Sequence, residues 1–258
     1  MKDNFSVQAG AYAQFRPDYP DSLASFLLAH TILREAAWDC GTGNGQLALK
    51  LAPHFKTVFA TDISEAQLGR APQKENIIYK REAAEASSFA DRQFDLITVA
   101  QAIHWFPFDD FYREVYRTLK DDGLFAVAGY ALLCINAEVD AVLQHFYKNI
   151  TGPYWDKERR YIDEQYATIP FPFEEIPAPQ LIQSYRWTLE QMRGYLSTWS
   201  AVQHYILATG HDPLELITDE LEKAWGVPAY REVNVPILLR AGRKRTILVA
   251  GPALNKDL

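Results

Sequence analysis

Cysteine is nearly missing from this chain: Cys40 and Cys134 are the only two among 258 residues. Neither belongs to a pair with metal-ligand or redox spacing, which argues against a disulfide scaffold and leaves no metal site to expect. Long hydrophobic runs are missing as well. No stretch approaches the ~20 apolar residues that span a bilayer, and Met1-Lys2-Asp3-Asn4 lacks the apolar core of a secretion signal. A cytoplasmic location with no membrane span is the expectation. Positive charge is in deficit, with 33 Asp plus Glu against 26 Lys plus Arg and a formal net charge of -7. Such a field repels a polyanionic backbone, so nucleic acid is not an expected partner. The one basic run, Arg240-Ala241-Gly242-Arg243-Lys244-Arg245, reads as a solvated turn between strands over 233–239 and 246–250.

Apolar residues are plentiful, at 48% of the chain. That content can bury a substantial core in one domain, or in one domain with an insertion. Short apolar runs near 36–38, 58–61, 77–79, 96–100 and 124–128 alternate with helical patterns over 22–34, 46–51, 65–71 and 109–119. Alternating strands and helices imply parallel βαβ units in a three-layer α/β sandwich. After Tyr130 the alternation lapses. Residues 138–225 read mostly as helices separated by Pro-rich turns around 168–179, with strand character returning at 180–187 and again at 233–250. The expected division is a core over 1–130, a mainly helical insertion over 131–230 that lines an acceptor pocket, and strands over 231–258 that complete the sheet.

The segment with most chemical content is Trp38-Asp39-Cys40-Gly41-Thr42-Gly43-Asn44-Gly45. Three alternate glycines behind an acid, at a strand-to-helix junction, make a turn whose backbone a ligand can approach closely. The spacing is G-x-G-x-G. A dinucleotide turn reads G-x-G-x-x-G and a Walker loop needs G-K-[ST], so both nucleotide-phosphate readings weaken. The next strand, Thr57-Val58-Phe59-Ala60-Thr61-Asp62, ends in an acid facing the same crevice. Asp62 suits a ribose diol or the N-cap of the following helix, for which Ser64 is equally competent.

These motifs resemble class I S-adenosylmethionine-dependent methyltransferases, with their D-x-G-x-G-x-G turn at Asp39 to Gly45 and V-x-x-x-D-x-S at Val58 to Ser64. The resemblance continues through Ala84-Glu85-Ala86-Ser87-Ser88-Phe89 and Phe94-Asp95-Leu96-Ile97-Thr98-Val99-Ala100. Ala100-Gln101-Ala102-Ile103-His104-Trp105-Phe106 is similar to the trans-aconitate methyltransferase-like branch of methyltransferase type 11, as are Tyr12 to Pro20 and Thr168 to Phe173. What the resemblance implies is a Rossmann-like, seven-stranded, mostly parallel sheet with an antiparallel edge strand. S-adenosyl-L-methionine is the implied cofactor and S-adenosyl-L-homocysteine its product. The implied cofactor residues are Tyr12, Asp39, Gly41, Thr42, Gly43, Gly45, Asp62, Ile63, Ala84, Glu85, Ala100 and Gln101. Ala83 departs from the family, which often has an Asp there toward the adenine amino group.

The reaction this implies is in-line methyl transfer to a small organic molecule at a carboxylate or hydroxyl oxygen; the alternative is a non-catalytic cofactor-binding regulator. His104, Trp105 and Arg16 are the catalytic candidates. His104 suits a proton acceptor if the nucleophile is a hydroxyl, or a packing role. Trp105, Phe106 and Tyr12 suit an aromatic wall against a sulfonium, or a core. Arg16 suits a reach over the crevice toward the cofactor carboxylate or an anionic acceptor, or a surface place on an amino-terminal arm; Arg159, Arg160 and Arg186 of the insertion suit a grip on a carboxylated substrate, or solvated helix charge. Oligomeric state is not legible.

Overall fold

The computed structural model describes residues 17–244. Tyr12, Arg16 and the strand expected over 246–250 lie outside the described residues. The amino-terminal half alternates as its pattern predicts: α1 (Asp21–Ala29), β1 (Ala36–Cys40), α2 (Gln46–Leu51), β2 (Thr57–Asp62), α3 (Glu65–Leu68), β3 (Ile77–Arg81), β4 (Phe94–Ala100), α4 (Phe108–Thr118) and β5 (Leu119–Tyr130). These five strands pair in parallel in the order β3-β2-β1-β4-β5. The order reverses between β1 and β4, which leaves a crevice beyond their carboxyl ends.

Strand geometry sends successive side chains to opposite faces, and the sequence fills both. Ala37, Leu96, Leu124 and Ala126 join one core; their neighbours Trp38, Ile97, Phe125 and Val127 join the other. In α4 the buried residues Phe111, Tyr112, Val115 and Thr118 recur at helical spacing, and acids occupy its first turn, where the helix dipole favours them.

The second half departs from the expected pattern in one instructive place. The run from Arg240 onward is no turn: Arg231–Lys244 is one continuous strand, β8. It pairs antiparallel with β5 from Phe125↔Gly242 to Tyr130↔Ile237. Its far side carries two short strands end to end, β6 (Phe173–Ile176) and β7 (Leu181–Trp187). Among the described residues the sheet therefore has eight strands, where seven were expected. The basic side chains have carbonyl and carboxylate partners that allow this. Arg240 sits at the gap between β6 and β7, donates to the Tyr166 and Ile169 carbonyls at 3.0 and 2.7 Å, and pairs with Glu175. Arg243 donates to the Asp122 and His30 carbonyls, and Lys244 to that of Leu119.

Between β5 and β8 the helices α5 (Ala137–His145), α6 (Arg160–Asp163), α7 (Leu189–Ser197), α8 (Ser200–Thr209) and α9 (Thr218–Trp225) supply residues to both cores. Val139, Leu143, Phe146, Trp199 and Leu221 pack on one face. Ile162, Tyr166, Ile169 and Phe173 pack on the other. The Pro-rich stretch is fastened to α4, where the Tyr112 and Tyr116 hydroxyls donate to the Pro170 and Pro172 carbonyls. Among the described residues no helix is long and apolar enough to cross a membrane.

Candidate active site

Past Cys40 the chain turns through Gly41, Gly43 and Gly45, whose φ values of 68°, 57° and 83° fall where side chains are disfavoured. A Cβ on Gly41 would stand 2.7 Å from Ala102 Cβ, and one on Gly45 2.6 Å from the Tyr79 hydroxyl. One on Gly43 would meet nothing within 4 Å among the described residues. The protein itself presses on the outer two glycines, whereas the middle one opens on free space, as a cradle for a ligand must. Thr42 N–H donates to the Thr61 carbonyl at 2.9 Å, so the turn hangs from the end of β2.

Asp39 lies beneath this turn, wholly enclosed. One carboxylate oxygen accepts from the Thr42 hydroxyl at 2.5 Å and the Ala48 N–H at 3.1 Å; the other accepts from the Thr98 hydroxyl at 2.9 Å. Burial pushes its pKa up to about 6 against those bonds, which favour the charged form. Asp39 thus fastens the turn to α2 and β4. Asp62 bridges instead, accepting from Gly43 N–H at 2.9 Å and Ser64 N–H at 2.8 Å. Ser64 is the N-cap of α3, its hydroxyl accepting from Gln67 N–H at 3.3 Å, so capping does not fall to Asp62.

Ile63 is half-buried and Ala84 buried. Glu85 sits in a turn closed by a bridge between Ala83 and Ala86, and its Oε2 is buried with no hydrogen-bond partner among the described residues. Burial raises the Cys40 thiol pKa well above its usual range, and the carboxylates of Asp39, Asp62 and Glu85 add to the rise. Three acids therefore bear on the end of β1. That charge suits a cationic ligand with hydroxyl and amino donors, and the open side of Gly43 admits its close approach.

On the other wall, Gln101 follows Ala100 with φ 56°, its N–H donating to the Ala128 carbonyl and its Oε1 accepting from Tyr130 N–H, both at 2.8 Å. This locks the ends of β4 and β5 together. The 3-10 turn Ile103–Trp105 comes next. His104 is 5% exposed, with no partner for Nδ1 among the described residues. Its ring lies 4.8 Å from that of Trp105 and 6.4 Å from that of Tyr166. Burial, with the Arg159 charge adding, pushes its pKa down to about 3, so the imidazole is neutral. Phe106 is core, packed beneath Gly41 and on Phe111.

The 3-10 turn Lys157–Arg159 packs on Ile103–Trp105. The Arg159 guanidinium lies 4.6 Å from the Trp155 ring centre and 5.2 Å from that of Tyr147, donates Nε–H to the Tyr147 hydroxyl at 2.7 Å, and stands 3.8 Å from Asp163. Glu158 beside it has one buried oxygen without a partner among the described residues. Arg160 and Arg186 are not brought in: both are exposed, stacked over Tyr161 and Tyr230. Tyr166 carries no mark in the sequence. It is fully buried here, and its hydroxyl has no hydrogen-bond partner among the described residues.

The methyltransferase-domain family matches residues 38–127, the stretch from the glycine turn through β5. A protein of Dictyostelium discoideum named "Putative methyltransferase" is 34% identical over 250 residues, covering 94% of this chain and 95% of its own. The chain belongs to the methyltransferases. The "Probable S-adenosylmethionine-dependent methyltransferase CRG1" of Saccharomyces cerevisiae is 29% identical over 132 residues, 48% of this chain and 45% of that one. A solved "Putative Type II Methyltransferase" from Anaeromyxobacter dehalogenans superposes with TM-score 0.83 at 40% identity, covering 89% of this chain and 98% of that one. This methyltransferase uses S-adenosylmethionine, and its fold is the mixed α/β, Rossmann-like one of its relatives.

Proposed function

We propose that this methyltransferase esterifies a small organic acid, transferring the methyl group to a carboxylate oxygen in a chamber between the glycine turn and residues 131–230. Bound S-adenosylmethionine supplies a methyl carbon already activated on a sulfonium, so the protein's work is to orient donor and acceptor and to exclude water. Gly41, Gly43 and Gly45 would admit the donor's amino-acid end to the backbone, with Thr42 and Asp39 holding the turn in shape. Asp62 would accept from its ribose hydroxyls, and Ile63, Ala84, Glu85, Ala100 and Gln101 would line its adenine and methionine.

The observation that carries the acceptor assignment is the buried, neutral His104, its Nδ1 without a hydrogen-bond partner among the described residues, within the field of the Arg159 guanidinium. A hydroxyl nucleophile needs a group to take its proton, and an imidazole whose pKa is about 3 is a poor acceptor for it. A carboxylate arrives ionised and needs none. Arg159 supplies the positive field that such an acceptor requires, and His104 a hydrogen bond to orient it. Trp105 stands against the same chamber as an aromatic wall. The resemblance of 100–106 to the trans-aconitate methyltransferase-like branch supports the same class of acceptor.

Incubation with methyl-tritiated S-adenosylmethionine and the anion-exchange-retained fraction of a metabolite extract tests the reading. A carboxyl methyl ester releases its label as volatile methanol in mild base. Label that survives base treatment, as in an ether or an N-methyl product, overturns it.

A further inference from the structure

Tyr166 carries three peculiarities that packing alone does not account for. Its side chain is wholly buried, yet the hydroxyl meets no hydrogen-bond partner among the described residues. A buried phenol left unsatisfied costs about 1–3 kcal/mol, and a phenylalanine would fill the same space without that cost. Its backbone, with that of Gln165 before it, lies in the left-handed region, at φ 62° and 54°. Bulky residues are rarely held there, and where they are, the surroundings fix them for a reason that is often functional. Arg240 is part of that fixing, since it donates to the Tyr166 carbonyl from the gap in the sheet edge.

The third peculiarity is where the hydroxyl is delivered. Residue 129, near the carboxyl end of β5, is a glycine, and a Cβ there would stand 2.4 Å from the Tyr166 hydroxyl and 2.8 Å from Gln101 Oε1. The space a side chain at 129 would take is shared by the phenol and by the residue that locks β4 to β5. The His104 ring lies 6.4 Å from the Tyr166 ring, inclined by 30°. Two buried polar groups without hydrogen-bond partners among the described residues, His104 Nδ1 and Tyr166 Oη, thus belong to neighbouring rings, one from the 3-10 turn and one from residues 131–230. Arg159 stands close enough to act electrostatically on both.

We infer that Tyr166 is the residue that recognises the acceptor, its hydroxyl donating a hydrogen bond to the oxygen of the carboxylate that is not methylated, within the chamber proposed above. This deepens the carboxylate reading and rests on it for the class of acceptor. Burial pushes the phenol's pKa well up, so it remains a donor throughout the working range. A neutral donor in an enclosed site discriminates strongly. An acceptor with an oxygen at that point gains the bond, whereas one with a methyl group there leaves the phenol unpaired.

Tyr166→Phe tests this with two independent readouts. In thermal unfolding of the ligand-free protein the variant is expected to match or exceed the wild type, because it deletes a buried polar atom that has no hydrogen-bond partner among the described residues. A fall in Tm would show that the hydroxyl is satisfied within the protein, and overturns the proposal. In tritium transfer to the retained acid fraction the variant is expected to label about tenfold less at low acceptor concentration. The deficit should close as the fraction is concentrated, while S-adenosylhomocysteine affinity by calorimetry stays unchanged. Equal labelling by variant and wild type overturns the role of Tyr166 and leaves the carboxylate reading standing. Base-stable label that still falls in the variant overturns the carboxylate class and keeps Tyr166 as the recognising residue. Failure of the wild type to label any fraction overturns the acceptor assignment itself.

Discussion

Burial shifts the protonation of His104 and Asp39 in ways that act on stability in opposite directions. His104 in the unfolded chain takes a proton below about 6.5, but in the folded chain only near 3. Across that window the unfolded state holds more protons, so stability falls as pH is lowered. Asp39 works the other way: folded it takes a proton near 6, unfolded near 3.8, so its contribution grows as pH falls between those values. Each proton is worth at most about 1.4 kcal/mol per pH unit. His104→Asn is therefore expected to lose less stability than the wild type between pH 6 and pH 4, read as urea midpoints at each pH. Equal losses would mean that the folded His104 titrates near its ordinary value. Asp62 gives a second expectation. Asp62→Ala should weaken S-adenosylhomocysteine binding by roughly 1–3 kcal/mol in calorimetry. Its helix should persist, because Ser64 and not Asp62 caps α3. An unchanged affinity would leave Asp62 a structural role, to which its bonds to Gly43 and Ser64 belong.

At the scale of the element, the glycine turn separates folding from binding. Gly41→Ala and Gly45→Ala would drive a methyl group into Ala102 and Tyr79. They should lower Tm with whatever affinity survives. Gly43→Ala meets only open space, so it should cost about 1 kcal/mol of stability from its φ alone yet lose donor affinity disproportionately. A plot of Tm against affinity for the three variants checks this, and a single line through all three would refute it. The turn, β1 to β5 and Asp62 were legible in the sequence because their signals are local: apolar runs, glycine spacing, an acid at a strand end. β8 was misread because Arg240, Arg243 and Lys244 look like a solvated run. Their carbonyl partners belong to residues 30, 119, 122, 166 and 169, far away in the chain. β6 was hidden among prolines. Tyr166 gave no signal, since neither a positive φ nor an unpaired hydroxyl is written in residue type, and among Arg159, Arg160 and Arg186 only the fold distinguishes Arg159.

For the whole molecule, the insertion is no appendage. Phe146 and Trp199 join one core and Tyr166 and Phe173 the other, so residues 131–230 are packed against both faces of the sheet that carries the donor turn. Unfolding should accordingly be a single transition. Trp38 reports on the sheet and Trp155, Trp199 and Trp225 on the insertion, so fluorescence and far-ultraviolet circular dichroism should give one midpoint in urea. Two separated midpoints would show that the insertion melts independently.

The division of the outer sheet edge into β6 and β7 has a consequence for the protein in a crowded solution. A long unpaired strand offers its row of N–H and C=O groups to any passing chain and seeds fibrous association. Here the rim is four residues, then a break, then seven, with Pro177 and Pro179 in the break and Pro172 ahead of it. Glu174 and Glu175 place charge on the shorter piece. No neighbour finds a continuous template there, so the same interruption that seats Arg240 beneath Tyr166 also guards the fold against growing a ninth strand from another molecule.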